Sequence, residues 1–67
     1  MRELPRSEYA KLIDEWIFNE RDRAILKRRL LDGICYEPLA EEFNLSVRQT
    51  KKIVYKGEKI LYNHLDF

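Results

Sequence analysis

The 67-residue sequence holds one cysteine, one histidine, two glycines and two prolines. A single cysteine excludes an internal disulfide framework and fits a reducing, cytoplasmic setting. One histidine and one cysteine far apart in the chain do not make the ligand spacing of a zinc site, so no metal is expected. No apolar run approaches the roughly 18 residues of a membrane-spanning helix. The opening Met1-Arg2-Glu3-Leu4-Pro5 lacks the apolar stretch of a secretory leader. No membrane association is therefore expected. A Ser/His/Asp set, a paired-carboxylate site and a phosphate-cradling glycine loop are all missing. Glu41 and Glu42 are adjacent, and adjacent helical residues point in different directions. The sequence thus predicts neither an enzyme nor a cofactor. Charge of one sign is also scarce: 13 Lys and Arg against 12 Asp and Glu leave a net +1.

Length then bounds what remains. A chain this short buries only about 60% of its unfolded surface, which predicts one domain over 1–67 with one small core. The composition is 45% hydrophobic and 37% charged, too apolar for a disordered tail and charged enough to stay soluble. Few breakers and many Leu, Ile, Glu, Lys and Arg read as helical. No alternating strand pattern flanked by turn residues is present. The expected class is all-α, a compact four-helix domain.

The first helix is expected over 7–18, with Tyr9, Leu12, Ile13, Trp16 and Ile17 on one face. Asn19 then reads as an N-cap, with Asp22 near the positive end of the helix dipole. The second helix is expected over 20–31, with Ala24, Ile25, Leu26, Leu30 and Leu31 apolar and Gly33 ending it in a left-handed conformation. A short third helix fits 36–43, with Pro38 in its first turn, where a missing N–H does little harm. Leu39, Ala40 and Phe43 face inward. Asn44 tolerates the left-handed conformation of a tight turn. Ser46 and Gln49 form a capping box for a fourth helix over 46–63. Its inward stripe is Thr50, Ile53, Val54, Gly57, Ile60 and Leu61, extending to Leu65.

Two helices joined by only Asn44-Leu45-Ser46 suggest a helix-turn-helix. Ala40 is small where the pair approaches, and Leu45 fills the space between them. Val47, Arg48, Gln49, Lys51 and Lys52 lie outward at the start of the second helix of the pair. In a DNA-binding helix-turn-helix such positions face the major groove.

Residues 20–61 resemble region 4 of the sigma-70 type transcription factors. The resemblance rests on Glu20-Arg21-Asp22-Arg23, on Asp32-Gly33-Ile34, on Tyr36-Glu37-Pro38-Leu39-Ala40-Glu41-Glu42-Phe43, and on Asn44-Leu45-Ser46 with Lys51. Lys56-Gly57 falls where the family often has Arg-Ala. It covers about two thirds of the chain. The departures are Cys35 in place of a Ser or Thr cap, Pro38 in place of a glutamate, Asn44 in place of glycine, and Thr50 in place of an apolar core residue. The resemblance implies a sequence-specific DNA-binding transcriptional regulator of bacterial or phage type, with the helix over 46–56 in the major groove of double-stranded DNA. The chain has no room for the other regions of a sigma factor, so the expectation is an isolated module. The rival implication is a protein-interaction module that binds RNA polymerase or another regulator without touching DNA.

The DNA-contacting residues expected on this reading are Ser46, Val47, Arg48, Gln49, Lys51, Lys52 and Lys56. Arg48 suits a guanine edge, Gln49 either an adenine edge or its capping role, and Lys51 and Lys52 phosphates. Lys59, about 16 Å beyond Arg48 at 1.5 Å per residue, is expected to lie outside the same groove. Residues 47–67 carry five cations against two carboxylates, a surplus of +3 that leaves −2 on residues 1–46. That split lets a nearly neutral molecule present a basic face, although the same cations would also suit a merely solvated helix. Arg21, Arg23, Lys27, Arg28 and Arg29 either contact the DNA backbone from the flank or pair with Glu20, Asp22 or Glu41. Trp16, Tyr9, Tyr36 and Phe43 are expected in the core, and Cys35 half-buried. Tyr55 and Tyr62, seven apart, either cover the first helix or mark the seam of a homodimer. A dimer would double the DNA contacts.

Overall fold

The computed structural model describes residues 6–64, and these form four α-helices: α1 (Arg6–Trp16), α2 (Glu20–Leu30), α3 (Tyr36–Glu42) and α4 (Val47–Asn63). Among the described residues there is no strand. The all-α, four-helix reading holds. Leu65 falls outside the described residues.

Each helix boundary has a local cause. Asn19 adopts an extended backbone, and its side chain accepts the Asp22 N–H at 3.2 Å. This N-cap forces the chain out of α1 two residues earlier than the apolar periodicity suggests, so Ile17, Phe18 and Asn19 make a corner. Past the end of α2, Gly33 takes φ +69°. The Ile34 N–H then donates back to the Arg28 carbonyl at 3.2 Å. Arg29 fastens the same loop by donating to the Ile34 carbonyl at 3.1 Å.

Helix α3 ends in a Schellman motif. Asn44 sits at φ +59°, its N–H donating to the Glu41 carbonyl, while the Leu45 N–H donates to the Ala40 carbonyl at 2.9 Å. The α3–α4 connection is therefore four residues, Phe43 to Ser46, rather than three. At the start of α3, Cys35 occupies the cap position with no side-chain hydrogen bond, as a weakly accepting thiol should. Cys35 is exposed rather than half-buried. It stands on the solvent side of that cap, and the inward positions of α3 fall to Leu39 and Ala40.

The core is built from Ile13 of α1, Ile17 of the corner, Ile25 and Leu26 of α2, Leu39 and Ala40 of α3, and Val54 and Leu61 of α4. Each large aliphatic side chain contributes roughly 1.5–3 kcal/mol by leaving water. Leu45, Phe43 and Ile53 pack partly buried against this cluster. Helix α4 is the central element, packing most extensively against α2 and α3. Gly57 of α4 lies against Leu26 of α2: a Cβ there would collide with the Leu26 side chain.

The aromatic residues depart from expectation. Trp16 is 37% exposed. It lies at the last turn of α1, beside the end of α4, where its ring stacks on His64 with centroids 3.6 Å apart. Tyr9, Tyr36 and Phe43 are half-buried.

Candidate nucleic-acid interface

Helix α4 carries two stripes with the same spacing. The inner stripe is Thr50, Val54, Gly57 and Leu61, all buried. The outer stripe is Arg48, Lys52, Tyr55 and Lys59, all exposed. Each steps by four, three and four residues, and the outer is displaced by two. At 3.6 residues per turn this is about 200°, so the second stripe faces directly away from the core.

The N-terminus of α4 is closed by its own side chains. The Ser46 hydroxyl accepts the Gln49 N–H at 3.1 Å, and the Gln49 Oε1 accepts the Ser46 N–H at 3.0 Å. The Ser46 hydroxyl donates to the same Gln49 oxygen at 3.2 Å. Gln49 therefore serves the capping box, and its remaining amide donors point from an exposed residue. No carboxylate stands in the first turn, so the positive end of the helix dipole is not offset by an acid.

Electrostatics separate α4 from α2. Three of the five cations of α2 are paired: Arg21 with Asp22, Lys27 with Asp14 of α1 at 2.7 Å, and Arg28 with both Asp32 and Glu42, while Arg23 and Arg29 make no ion pair among the described residues. Arg28 reaches Glu42 at 2.8 Å and so ties α2 to α3. Glu20 and Glu41, expected as partners, do not take part in these bridges. By contrast, Arg48, Lys51, Lys52, Lys56 and Lys59 make no ion pair with any carboxylate among the described residues. Glu58, the one acid of α4, accepts the Tyr62 hydroxyl at 3.1 Å instead.

Lys51 lies 5.5 Å from the Tyr36 ring centre, and Arg29 stacks 4.4 Å from it on α2. Tyr55 meets the same ring edge-on at 6.3 Å. Burial raises the Tyr36 hydroxyl above its ordinary value, against the opposing pull of Arg29. Tyr55 is thus anchored by one edge while 58% exposed among the cations.

The expected contact set divides as follows. Arg48, Lys51, Lys52 and Lys56 are exposed on α4, and Ser46 and Gln49 are exposed at its cap. Val47 is half-buried, which turns it partly away from solvent. Lys56 lies to one side, lining a groove of about 390 Å³ with Gln49, Lys52, Ile53 and Arg21. Arg21 reaches this groove from α2 together with Asp22, its ion-pair partner. Lys59 and Tyr55, outside the expected set, belong to the outer stripe. The four-three-four spacing from Arg48 was the signal that would have found them.

Among the described residues no cluster of His, Cys, Asp or Glu suits a metal ion, and no helix is long and apolar enough to cross a membrane. No protein-family model matches the chain, and neither the curated proteins nor the solved structures provide a match.

Proposed function

We propose that this protein is a sequence-specific DNA-binding transcriptional regulator, in which α3 and α4 act as a helix-turn-helix and α4 enters the major groove. The single observation that carries the reading is the exposed side of α4, where Arg48, Lys51, Lys52, Lys56 and Lys59 make no ion pair among the described residues while Arg21, Lys27 and Arg28 of α2 are paired. Leaving like charges together on one helix disfavours the folded chain slightly, and a polyanion removes that cost. The resemblance of residues 20–61 to region 4 of the sigma-70 type factors agrees with this assignment. The module would then act in the cytoplasm as a bacterial or phage regulator, without catalysis of its own.

Arg48 reads a guanine edge with its planar fork. Lys51, Lys52 and Lys56 neutralise phosphates and set affinity rather than sequence choice. Ser46 and the Val47 and Arg48 N–H groups, which the capping box does not engage, meet a phosphate at the helix N-terminus. The alternative, a module that binds RNA polymerase or another regulator through protein contacts alone, would use the same basic face against an acidic surface.

The test is selection of bound sequences from a random duplex pool, followed by mobility shifts on wild type and on R48A/K52A. The reading expects an enriched motif and a loss of binding in the double variant. Equal binding by both proteins, or none by wild type at low salt, would sink it.

A further inference from the structure

Tyr36, at the start of α3, gathers groups from three helices around one ring. The Arg29 guanidinium of α2 stands over it, 4.4 Å from the ring centre. The Lys51 ammonium of α4 lies 5.5 Å from the same centre, and Tyr55 of α4 meets the ring edge-on at 6.3 Å. Neither Arg29 nor Lys51 makes an ion pair among the described residues. Arg29 is also held by its 3.1 Å hydrogen bond to the Ile34 carbonyl. A guanidinium fixed by a ring face and one hydrogen bond keeps its remaining N–H donors in a set direction, and loses little freedom on meeting an anion. The basic surface of α4 is thereby extended onto α2 and α3.

We infer that this cluster binds the sugar-phosphate backbone of one DNA strand, with Arg29 as a phosphate contact supplied by α2 and positioned by Tyr36; the inference rests on the DNA-binding reading of α4. The place of the cluster around α4 carries it. At about 100° per residue, Lys51 lies about 60° to one side of Arg48 and Lys56 about 80° to the other. Arg29 and Tyr36 continue the Lys51 side. Cations therefore flank the Arg48 stripe on both sides. A helix about 10–12 Å across, in a major groove about 12 Å wide, has one strand along each side. The two banks are set to meet those two strands. An acidic protein surface docked on the central stripe alone leaves the Arg29 bank without a partner.

The experiment is phosphate-ethylation interference on a selected duplex, joined to the salt dependence of binding. Wild type is expected to show interference on both strands. Arg29→Gln is expected to lose it on one strand only, to make the slope of log K against log salt shallower by about 1, and to keep the base preferences. Lys51→Ala, at an exposed position, is expected to lose phosphates of that same strand, and Lys56→Ala those of the other. Arg29→Lys keeps the charge and is expected to restore the slope, which a loosened α2–α3 loop would not do. Tyr36→Leu, which removes the ring under Arg29, is expected to lose the same phosphates as Arg29→Gln, and Tyr36→Phe to retain them. An unchanged pattern and slope in Arg29→Gln, a loss on both strands, or wild-type behaviour of Tyr36→Leu would overturn the inference while the DNA-binding reading stands. A wild type that binds no duplex would remove both.

Discussion

The Thr50 hydroxyl donates a 2.9 Å hydrogen bond to the Ser46 carbonyl, and the Thr50 N–H donates to that same oxygen at 3.0 Å. A fully buried polar side chain is thereby satisfied within its own helix. Thr50→Val removes the hydroxyl and leaves the carbonyl with its backbone donor, so no group is orphaned. Its unfolding free energy should stay within about 1 kcal/mol of wild type. Thr50→Ala also removes a buried methyl, and should cost about 1–2 kcal/mol in urea denaturation.

Asn44 holds the left-handed turn that frees α4 to start at Val47. Glycine adopts that conformation without steric cost, whereas alanine does not. Asn44→Gly should match or exceed wild-type stability by up to about 1 kcal/mol, and Asn44→Ala should lose about 1 kcal/mol. Chemical denaturation of the two variants side by side checks the sign.

The helix count, most inward positions and the predicted caps or turns at Asn19, Gly33, Asn44 and Ser46 were legible because each rests on local chemistry. Side-chain oxygens at caps and left-handed turn residues act within a few positions of themselves. Trp16 was not legible in the same way. Helical spacing from Tyr9 and Ile13 puts it on the inward side, but how far the neighbouring helix extends beneath it is a tertiary fact. Here α4 ends at that level, so the indole finds His64 rather than a core. The ion pairs failed for a similar reason. Arg28 could be placed at the end of α2 from sequence, but its partner Glu42 lies 14 residues away on another helix. The unpaired state of the α4 cations was invisible until those partners were known.

Gly57 of α4 packs directly against the Leu26 side chain of α2. Alanine would gain about 1 kcal/mol of helix propensity there. It would also press a methyl into the buried Leu26 side chain, which must shift, at about 1–3 kcal/mol. The expected net effect of Gly57→Ala is a destabilisation of about 0–2 kcal/mol. Gly57→Val, adding a branched and larger group, should cost more. Thermal melts of both variants rank the two effects.

Alkaline pH should weaken the fold. Burial, then the hydrogen bond to Glu58, raises the Tyr62 hydroxyl above its ordinary 10.0. Burial likewise raises Tyr36. A group whose folded value is raised contributes stability that is intact below its unfolded value and is lost as pH rises through the folded one. Denaturation midpoints should therefore be flat with respect to these tyrosines below pH 10 and fall above it. Tyr62→Phe should blunt that fall, and ultraviolet titration of the phenolate should show delayed ionisation in wild type.

The central claim is that the outer face of α4 neutralises DNA phosphates, and the salt dependence of binding measures that number directly. Three to five contacts predict a slope of log K against log salt between about −3 and −4.5 for each chain bound. Lys52→Ala should make the slope shallower by about 1. A wild-type protein that fails to bind duplex DNA at low salt, or whose slope is near zero and unchanged by Lys52→Ala, would contradict the account.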